Sequence, residues 1–267
     1  MLLVGESING TIPEVGEAIL NHDEVSILNL ARIQIECGAN MLDINAGVAG
    51  GNEPENLAWL VQLIQSKYNT PIMFDSDDPN ALKKAFPVYK NNLKPIINSI
   101  SGDSKKLDVL LPVVAEQGCG VVALCLNEHG IPHIASERLK IAEHIVKESE
   151  AYGIKPEQIY LDPLVFGISS NYQAAAVTQE TIRLIRENIP EANIICGLSN
   201  VSHGVPARKL VNRTFLAMNI CLGMEAFIID VRDKELMATA ITAWALVGKD
   251  PNCKGLITAY RKKLLGS

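Results

Sequence analysis

The chain lacks a basic stripe, an apolar run of membrane length and any cysteine or histidine pair at metal-ligand spacing, and each absence removes a class of function. Its 24 Lys and Arg are interspersed among 30 Asp and Glu, for a net charge of -6. Nothing is laid out to neutralise phosphates along a duplex, and no nucleic-acid partner is expected. No apolar stretch approaches the roughly 18 residues that begin to span a bilayer. MLLVGESING has neither the positive segment nor the long apolar segment of an export signal, so a cytoplasmic protein without membrane contact is expected. Cys37, Cys119, Cys125, Cys196, Cys221 and Cys253 lie far apart, mostly in apolar segments, with no C-x-x-C or H-x3-H spacing. They read as reduced core thiols, and no metal bound by this chain is expected. Linkers, low-complexity tracts and charge blocks are missing too. With 267 residues and 48% hydrophobic content, residues 1–267 read as one domain, close to the roughly 250 residues of a single closed α/β barrel.

What recurs is an ending. Eight short apolar runs finish on, or just past, a carboxylate or carboxamide: LLVGES at Glu6 with Asn9 beyond, MLDINAG with Asp43 and Asn45, IMFDSD with Asp75, KPIINS with Asn98, VVALCLN at Asn127, IYLDPLV with Asp162, IICGLSN at Asn200 and FIID at Asp230. Glu6 to Asp230 covers 224 residues in seven intervals, a mean of about 32, the size of one strand plus crossover helix. The predicted fold is α/β, a single (β/α)8 TIM barrel. Fully apolar VVALCL and IICGL fit parallel strands covered by helices. Between the runs the period changes to helical: Ile27, Leu28, Ala31 and Ile35 share a face, with Asp23 as N-cap and Gly38 at the stop. Asp78-Pro79 predicts a helix through Tyr89, Ser136 one ending at Gly153, and further helices fall at 53–68, 173–188, 206–222 and 233–247. Pro112 predicts a kink or a shortening of its helix.

In such a barrel the C-terminal strand ends and the loops after them line the reaction site. That direction gathers Glu6, Asn9, Asp43, Asn45, Asp75, Asn98, Asn127, Asp162, Asn200 and Asp230 around one cavity. The competing role for any of them is helix capping or loop bonding, common work for Asp and Asn. A mouth rich in carboxylates and amides, with no Lys or Arg at a strand end, holds phosphate poorly. It suits a neutral heterocycle with several N–H donors beside carbonyl and ring-nitrogen acceptors, such as a 2-amino-4-oxo-pyrimidine ring. Pterins and purines carry that pattern.

GESING at 5–10, LDINAG at 42–47, FDS at 74–76, INS at 97–99, YLDPLV at 160–165, GLSNVSHG at 197–204 and NRTFLAM at 212–218 resemble the pterin-binding methyltransferase family over essentially the whole chain. By pattern the chain is most similar to methyltetrahydrofolate:corrinoid protein methyltransferases. The resemblance implies a homodimeric TIM barrel that takes tetrahydrofolate or methyltetrahydrofolate as substrate and works with a separate corrinoid protein carrying the corrinoid. It further implies that Asp75, Asn98 and Asp162 bind the pterin, that Gly197, Ser199 and Asn200 of GLSN contribute to the same site, and that Asn200 hydrogen-bonds near N5. Asp75 and Asp162 read as ionised clamps. His203 is a candidate gate for a proton network. Glu6, Asn9, Asp43, Asn45, Asn127 and Asp230 are candidates for a supporting layer.

Two relatives differ at specific positions. Dihydropteroate synthases use basic residues directly after GLS and an Arg-x-His near the last strand for their diphosphate leaving group; here GLS is followed by Asn200 and the last strand reads IIDVRD. Arg208 and Lys209 a turn further on fit a helix surface or the glutamate tail. Methionine-synthase-type chains carry a cobalamin motif Asp-x-His-x-x-Gly; here Asn127 stands where that motif has Asp and Pro132 where it has Gly. The resemblance therefore leaves the methyl partner on another protein, either an acetogenic corrinoid iron-sulfur protein or the corrinoid protein of an O-demethylase or a methylamine or betaine demethylase. A dihydropteroate synthase-like enzyme and a non-catalytic folate-binding subunit remain the alternatives.

Overall fold

The computed structural model describes residues 1–265, and in it eight parallel strands close into a barrel in sequence order. They are β1 (Leu2–Asn9), β2 (Met41–Asn45), β3 (Ile72–Asp75), β4 (Ile96–Ser101), β5 (Gly120–Leu124), β6 (Ile159–Asp162), β7 (Asn193–Gly197) and β8 (Ala226–Ile229). Around them run α1 (Pro13–Leu20), α2 (Glu24–Glu36), α3 (Glu53–Gln65), α4 (Pro79–Ala85), α5 (Ser104–Gln117), α6 (Ala135–Ala151), α7 (Ala174–Asn188), α8 (Arg208–Cys221), α9 (Lys234–Leu246) and α10 (Lys254–Arg261). The predicted (β/α)8 barrel is the observed one. No described helix is long and apolar enough to cross a membrane.

Alternation along each strand divides the interior in two. Leu3, Leu42, Phe74, Ile97, Val121, Leu161, Cys196 and Phe227 point outward and pack with the helices in one continuous core. Val4, Met41, Met73, Ile96, Val122, Ile195 and Ile228, with Tyr160 against them, point inward and fill the barrel's centre. The centre is thus a packed floor, and a ligand has access only above it. Of the cysteines, Cys119, Cys125 and Cys196 are buried free thiols as expected, but Cys221 and Cys253 are exposed.

Several predicted boundaries move for local reasons. Asp23 caps α2 by accepting from Ser26 N at 3.1 Å, as expected. Asp78 caps α4, accepting from Asn80 N at 2.9 Å, but that helix gives way at Phe86–Val88 to a 3-10 turn containing Pro87, so it does not reach Tyr89. Helix α6 starts at Ala135 after Ile134, not on a Ser136 cap. Helix α5 runs through Pro112; Pro112 and Asp108 both lie on its exposed side, where water can serve the carbonyl that the missing N–H leaves free. Sequence period did not single out α1 or α10.

One deviation shapes the mouth. Pairing of β1 with β2 shifts register between Gly5 and Ile8, and Ser7 N there donates to Gln34 Oε1 of α2 at 2.9 Å. A β-carbon on Gly5 would sit 2.5 Å from that oxygen, so glycine is needed for the helix side chain to reach the irregular strand.

Candidate functional site

The same two-residue period that builds the floor also builds the site. One step beyond the inward floor residues stand Glu6, Asp43, Asp75, Asn98, Leu124, Asp162, Gly197 and Asp230, one from each strand or the residue just past it. Six of the eight are carboxylates or carboxamides. Asp75 and Asn98 are direct register partners across β3 and β4, and Leu124 is opposite Asp162 across β5 and β6. At β7 the inward place is a glycine, and a β-carbon there would lie 3.4 Å from Asn200 Nδ2. The Asn200 carboxamide therefore stands within van der Waals reach of the inward β7 position. It comes from the 3-10 turn Leu198–Ser202, is exposed, and has no hydrogen-bond partner for its amide among the described residues.

These groups are held before any ligand arrives. Asn98 Nδ2 donates to Asp43 Oδ1 at 3.3 Å. Asn45 Nδ2 donates to Asp75 Oδ2 at 3.0 Å, its own oxygen fixed by Gly47 N at 3.0 Å. Asp162 Oδ1 accepts from Leu164 N at 2.7 Å. Burial, reinforced by the Asp75 charge, pushes Asp43 well above the usual carboxylate range. Burial also raises Asp75, against the Asn45 hydrogen bond. Burial raises Asp162 to about 7, opposed by Leu164 N and Arg138, and burial with the Asp230 charge raises Glu6 to about 7. Asp230 alone goes down: burial pushes it up, but a fork from Arg232, Nε at 2.7 Å and Nη2 at 3.0 Å, outweighs burial. Burial thus works against the ionised clamps expected at Asp75 and Asp162, while the Asn45 and Leu164 hydrogen bonds work for them. A mouth of this kind can accept hydrogen bonds, hold protons near neutral pH, and ionise when a ligand brings N–H donors.

Beside the carboxyl ring, at the ends of β7, β8 and β1, lies a cavity of about 710 Å³ lined by Glu6, Ser199, Arg208, Lys209, Asp230 and Arg232 among others. No Lys or Arg stands at an inward strand end, as the sequence indicated; Arg208 and Lys209 reach the cavity from the start of α8, and Arg232 from the loop after β8. Arg232 is engaged by Asp230, and Arg208 donates to Ser202 Oγ at 3.1 Å and Ser199 O at 3.3 Å. A larger groove of about 890 Å³ between α8, α9 and the C-terminal segment contains none of the inward strand-end groups.

Residues 8–230 match the family model described as pterin binding enzyme. The chain belongs to the pterin-binding enzyme family. Over 269 aligned residues, 100% of this chain and 98% of the relative, it is 35% identical to Methylcorrinoid:tetrahydrofolate methyltransferase of Eubacterium limosum. It is 27% identical over 229 residues to Methionine synthase of Mycobacterium tuberculosis, covering 81% of this chain and 19% of that much longer one. Among solved structures, Yersinia pestis dihydropteroate synthase superposes with a TM-score of 0.65 at 16% identity, covering 94% of this chain and 93% of that one. A Xanthomonas albilineans dihydropteroate synthase gives 0.67 at 16%, covering 92% and 93%. At that identity the structures share the fold.

In this pterin-binding family member the sequence-predicted residues divide. Glu6, Asp43, Asp75, Asn98, Asp162 and Asp230 share the inward layer, with Asn45 bonded to it and Gly197, Ser199 and Asn200 at its β7 edge. Asn9 lies beyond; its oxygen accepts from Thr11 N at 2.9 Å and Thr11 Oγ1 at 2.7 Å, a turn-forming role. Asn127 lies past the end of β5 in a tight turn closed against Gly130, its oxygen accepting from His129 N at 3.0 Å. His203 is exposed on the loop after β7, its carbonyl bound by Ser169 Oγ at 2.6 Å. Sequence reasoning passed over Arg138 and Gln34. Both stand on the buried stripe of an otherwise apolar helix face, Arg138 with Ile141, Ala142 and Ile145, and Gln34 with Ile27 and Ala31. A polar residue at that phase is the signal that finds them.

Proposed function

We propose that residues 1–267 act as one pterin-binding unit that transfers a methyl group between N5 of tetrahydrofolate and the cobalt of a corrinoid carried by a separate protein. The observation that carries this reading is the inward ring of Asp75, Asn98 and Asp162 with the unpartnered Asn200 carboxamide at its edge, in a chain 35% identical throughout to a methylcorrinoid:tetrahydrofolate methyltransferase. Asp75 and Asp162 take the ring N–H groups and exocyclic amine of the pterin, donors that favour their charged forms, while Asn98 offers both a donor and an acceptor. Leu124 gives the ring an apolar contact between them.

Asn200 acts at N5. Methyl on a neutral tertiary amine is a poor leaving arrangement, because displacement would release an anion. A hydrogen bond or a proton at N5 lets the amine depart neutral. The partner's corrinoid supplies the metal that takes or gives the methyl. In the opposite direction N5 must present its lone pair. A carboxamide serves both directions, since it can accept from N5–H and donate to N5. Glu6, in the cavity that Ser199 also lines, holds a proton near neutral pH and is the reservoir in this scheme, with Asp43, Asn45 and Asp230 as its supporting layer.

A dihydropteroate synthase activity would need free cations for diphosphate. Arg232 is held by Asp230 and Arg208 by Ser199 and Ser202, which leaves Lys209 as the cation of this cavity without a side-chain hydrogen bond or ion pair among the described residues; one lysine is a poor match for a diphosphate, which favours methyl transfer. Mixing the protein and methyltetrahydrofolate with a reduced corrinoid protein in a stopped-flow spectrometer tests the proposal. Transfer gives a cobalt spectral change; a folate-binding subunit without catalytic power gives none.

A further inference from the structure

Arg138 heads the largest fully buried side chains of the protein, with only 2% of its surface exposed. Among the described residues no carboxylate forms an ion pair with it. Its guanidinium instead donates to three backbone carbonyls: Nε to Pro132 at 2.9 Å, and Nη1 to Pro163 at 2.6 Å and Leu164 at 2.9 Å. The Phe166 ring lies against it, 5.7 Å from ring centre to guanidinium carbon. Burying a cation against carbonyl dipoles is costly, and an apolar side chain of similar volume would fill the space without that cost. Global stability therefore does not account for an arginine here.

The carbonyls it holds are informative. Pro132 belongs to the loop after β5, and Pro163 and Leu164 directly follow Asp162 at the end of β6. Leu164 sits in the left-handed region, φ 65°, which a branched side chain occupies only under constraint. Arg138 and Thr178, whose Oγ1 reaches Leu164 O at 2.7 Å, supply that constraint. In this conformation Leu164 N points back to Asp162 Oδ1 at 2.7 Å.

We propose that Arg138 is a positioning residue for the pterin site, holding Pro163–Leu164 so that Asp162 presents its carboxyl to the mouth. This rests on the folate reading above. Its charge has a second consequence. The titratable and charged groups facing Asp162 are Arg138 from α6, Cys125 just past β5 and Cys196 in β7. Burial keeps both thiols neutral, so ionisation of Asp162 is favoured first by the Leu164 N–H that Arg138 helps to hold in place and then by the Arg138 charge itself.

The test is tetrahydrofolate affinity by calorimetry from pH 5.5 to 8.5 in Arg138→Gln, Arg138→Lys and Thr178→Val. Arg138→Gln should bind roughly tenfold or more weakly, and its pH midpoint for binding should move upward. Arg138→Lys, which keeps a charge but not the fork, should lose affinity with its midpoint close to wild type; it also serves if the glutamine variant does not fold. Thr178→Val removes an uncharged bond to the same loop and should leave the midpoint in place. Wild-type affinity in a folded Arg138→Gln, or lost affinity with an unmoved midpoint, overturns the inference. Asp162→Ala, measured alongside, keeps the two claims apart: wild-type folate binding in that variant defeats the pterin reading itself, whereas impaired binding there leaves only the role of Arg138 at stake.

Discussion

Asn45 turns its amide nitrogen onto Asp75 at 3.0 Å because Gly47 N holds its oxygen from the other side at 3.0 Å. The contact favours the charged form of a carboxyl that burial pushes toward neutrality. Removing it in Asn45→Ala leaves Asp75 more protonated and freer to rotate. Tetrahydrofolate binding should weaken by about 1–3 kcal/mol, and by more at pH 6 than at pH 8. Calorimetry at the two values checks this, and an equal loss at both would take protonation of Asp75 out of the account.

Asp162→Ala should cost a similar about 1–3 kcal/mol in tetrahydrofolate affinity while the circular dichroism spectrum stays native. The pH dependence has a definite sign. Only the ionised carboxyl clamps N–H donors, and the free protein holds this group at about 7. Wild-type affinity should therefore fall as pH drops from 8 to 6, and the dependence should flatten in Asp162→Ala.

The same group makes the free protein's stability depend on pH in the opposite sense. Its folded value of about 7 lies above the roughly 3.9 of an unfolded aspartate, so between those values the folded state binds more protons and loses stability as pH rises. At full effect the loss is about 4 kcal/mol. Asp162→Asn keeps the oxygen that accepts from Leu164 N but cannot ionise. Urea unfolding at pH 5 and pH 7.5 should show the variant gaining on wild type at the higher value.

The barrel was legible because eight apolar runs ended alike, and their spacing matched a strand and a helix. Much of the site was legible for the same reason: strand ends that point inward at the mouth are the positions where polar residues interrupt apolar runs. Asn127 misled because VVALCL looks continuous with it, yet β5 ends at Leu124 and a tight turn takes the asparagine. That Arg208, Lys209 and Arg232 line one cavity beside the ring was not legible, since their approach depends on where α8 begins and how the loop after β8 folds, which no strand period records. The upward pressure on the carboxyls was not legible either: it comes from burial at Glu6, Asp43 and Asp162, with Asp230 added at Glu6 and Asp75 at Asp43, and burial is not a local property of sequence.

Assembly offers a further check. Leu210, Met218 and Leu246 are exposed on α8 and α9, and the three line one outer groove that contains none of the inward strand-end groups. We propose that these helices pair two copies of the chain, leaving both mouths open. Analytical ultracentrifugation at micromolar concentration should find a dimer, and Leu246→Glu should shift it toward monomer. A wild-type monomer counts against the pairing.

The central claim concerns Asn200 and the chemical step. An amide that acts mainly on the charged nitrogen of the transition state changes the rate more than it changes ground-state binding. Single-turnover transfer from saturating methyltetrahydrofolate to a reduced corrinoid protein, followed across pH, isolates that difference. Asn200→Ala should slow the limiting rate roughly a hundredfold to a thousandfold, about 2.7–4 kcal/mol for one lost preorganised hydrogen bond, with a smaller loss of folate affinity, and Asn200→Asp should recover only part of it because it adds a negative charge to the mouth that holds Asp75 and Asp162. A limiting rate equal to wild type, with affinity alone reduced, would make Asn200 a pterin anchor and contradict the account.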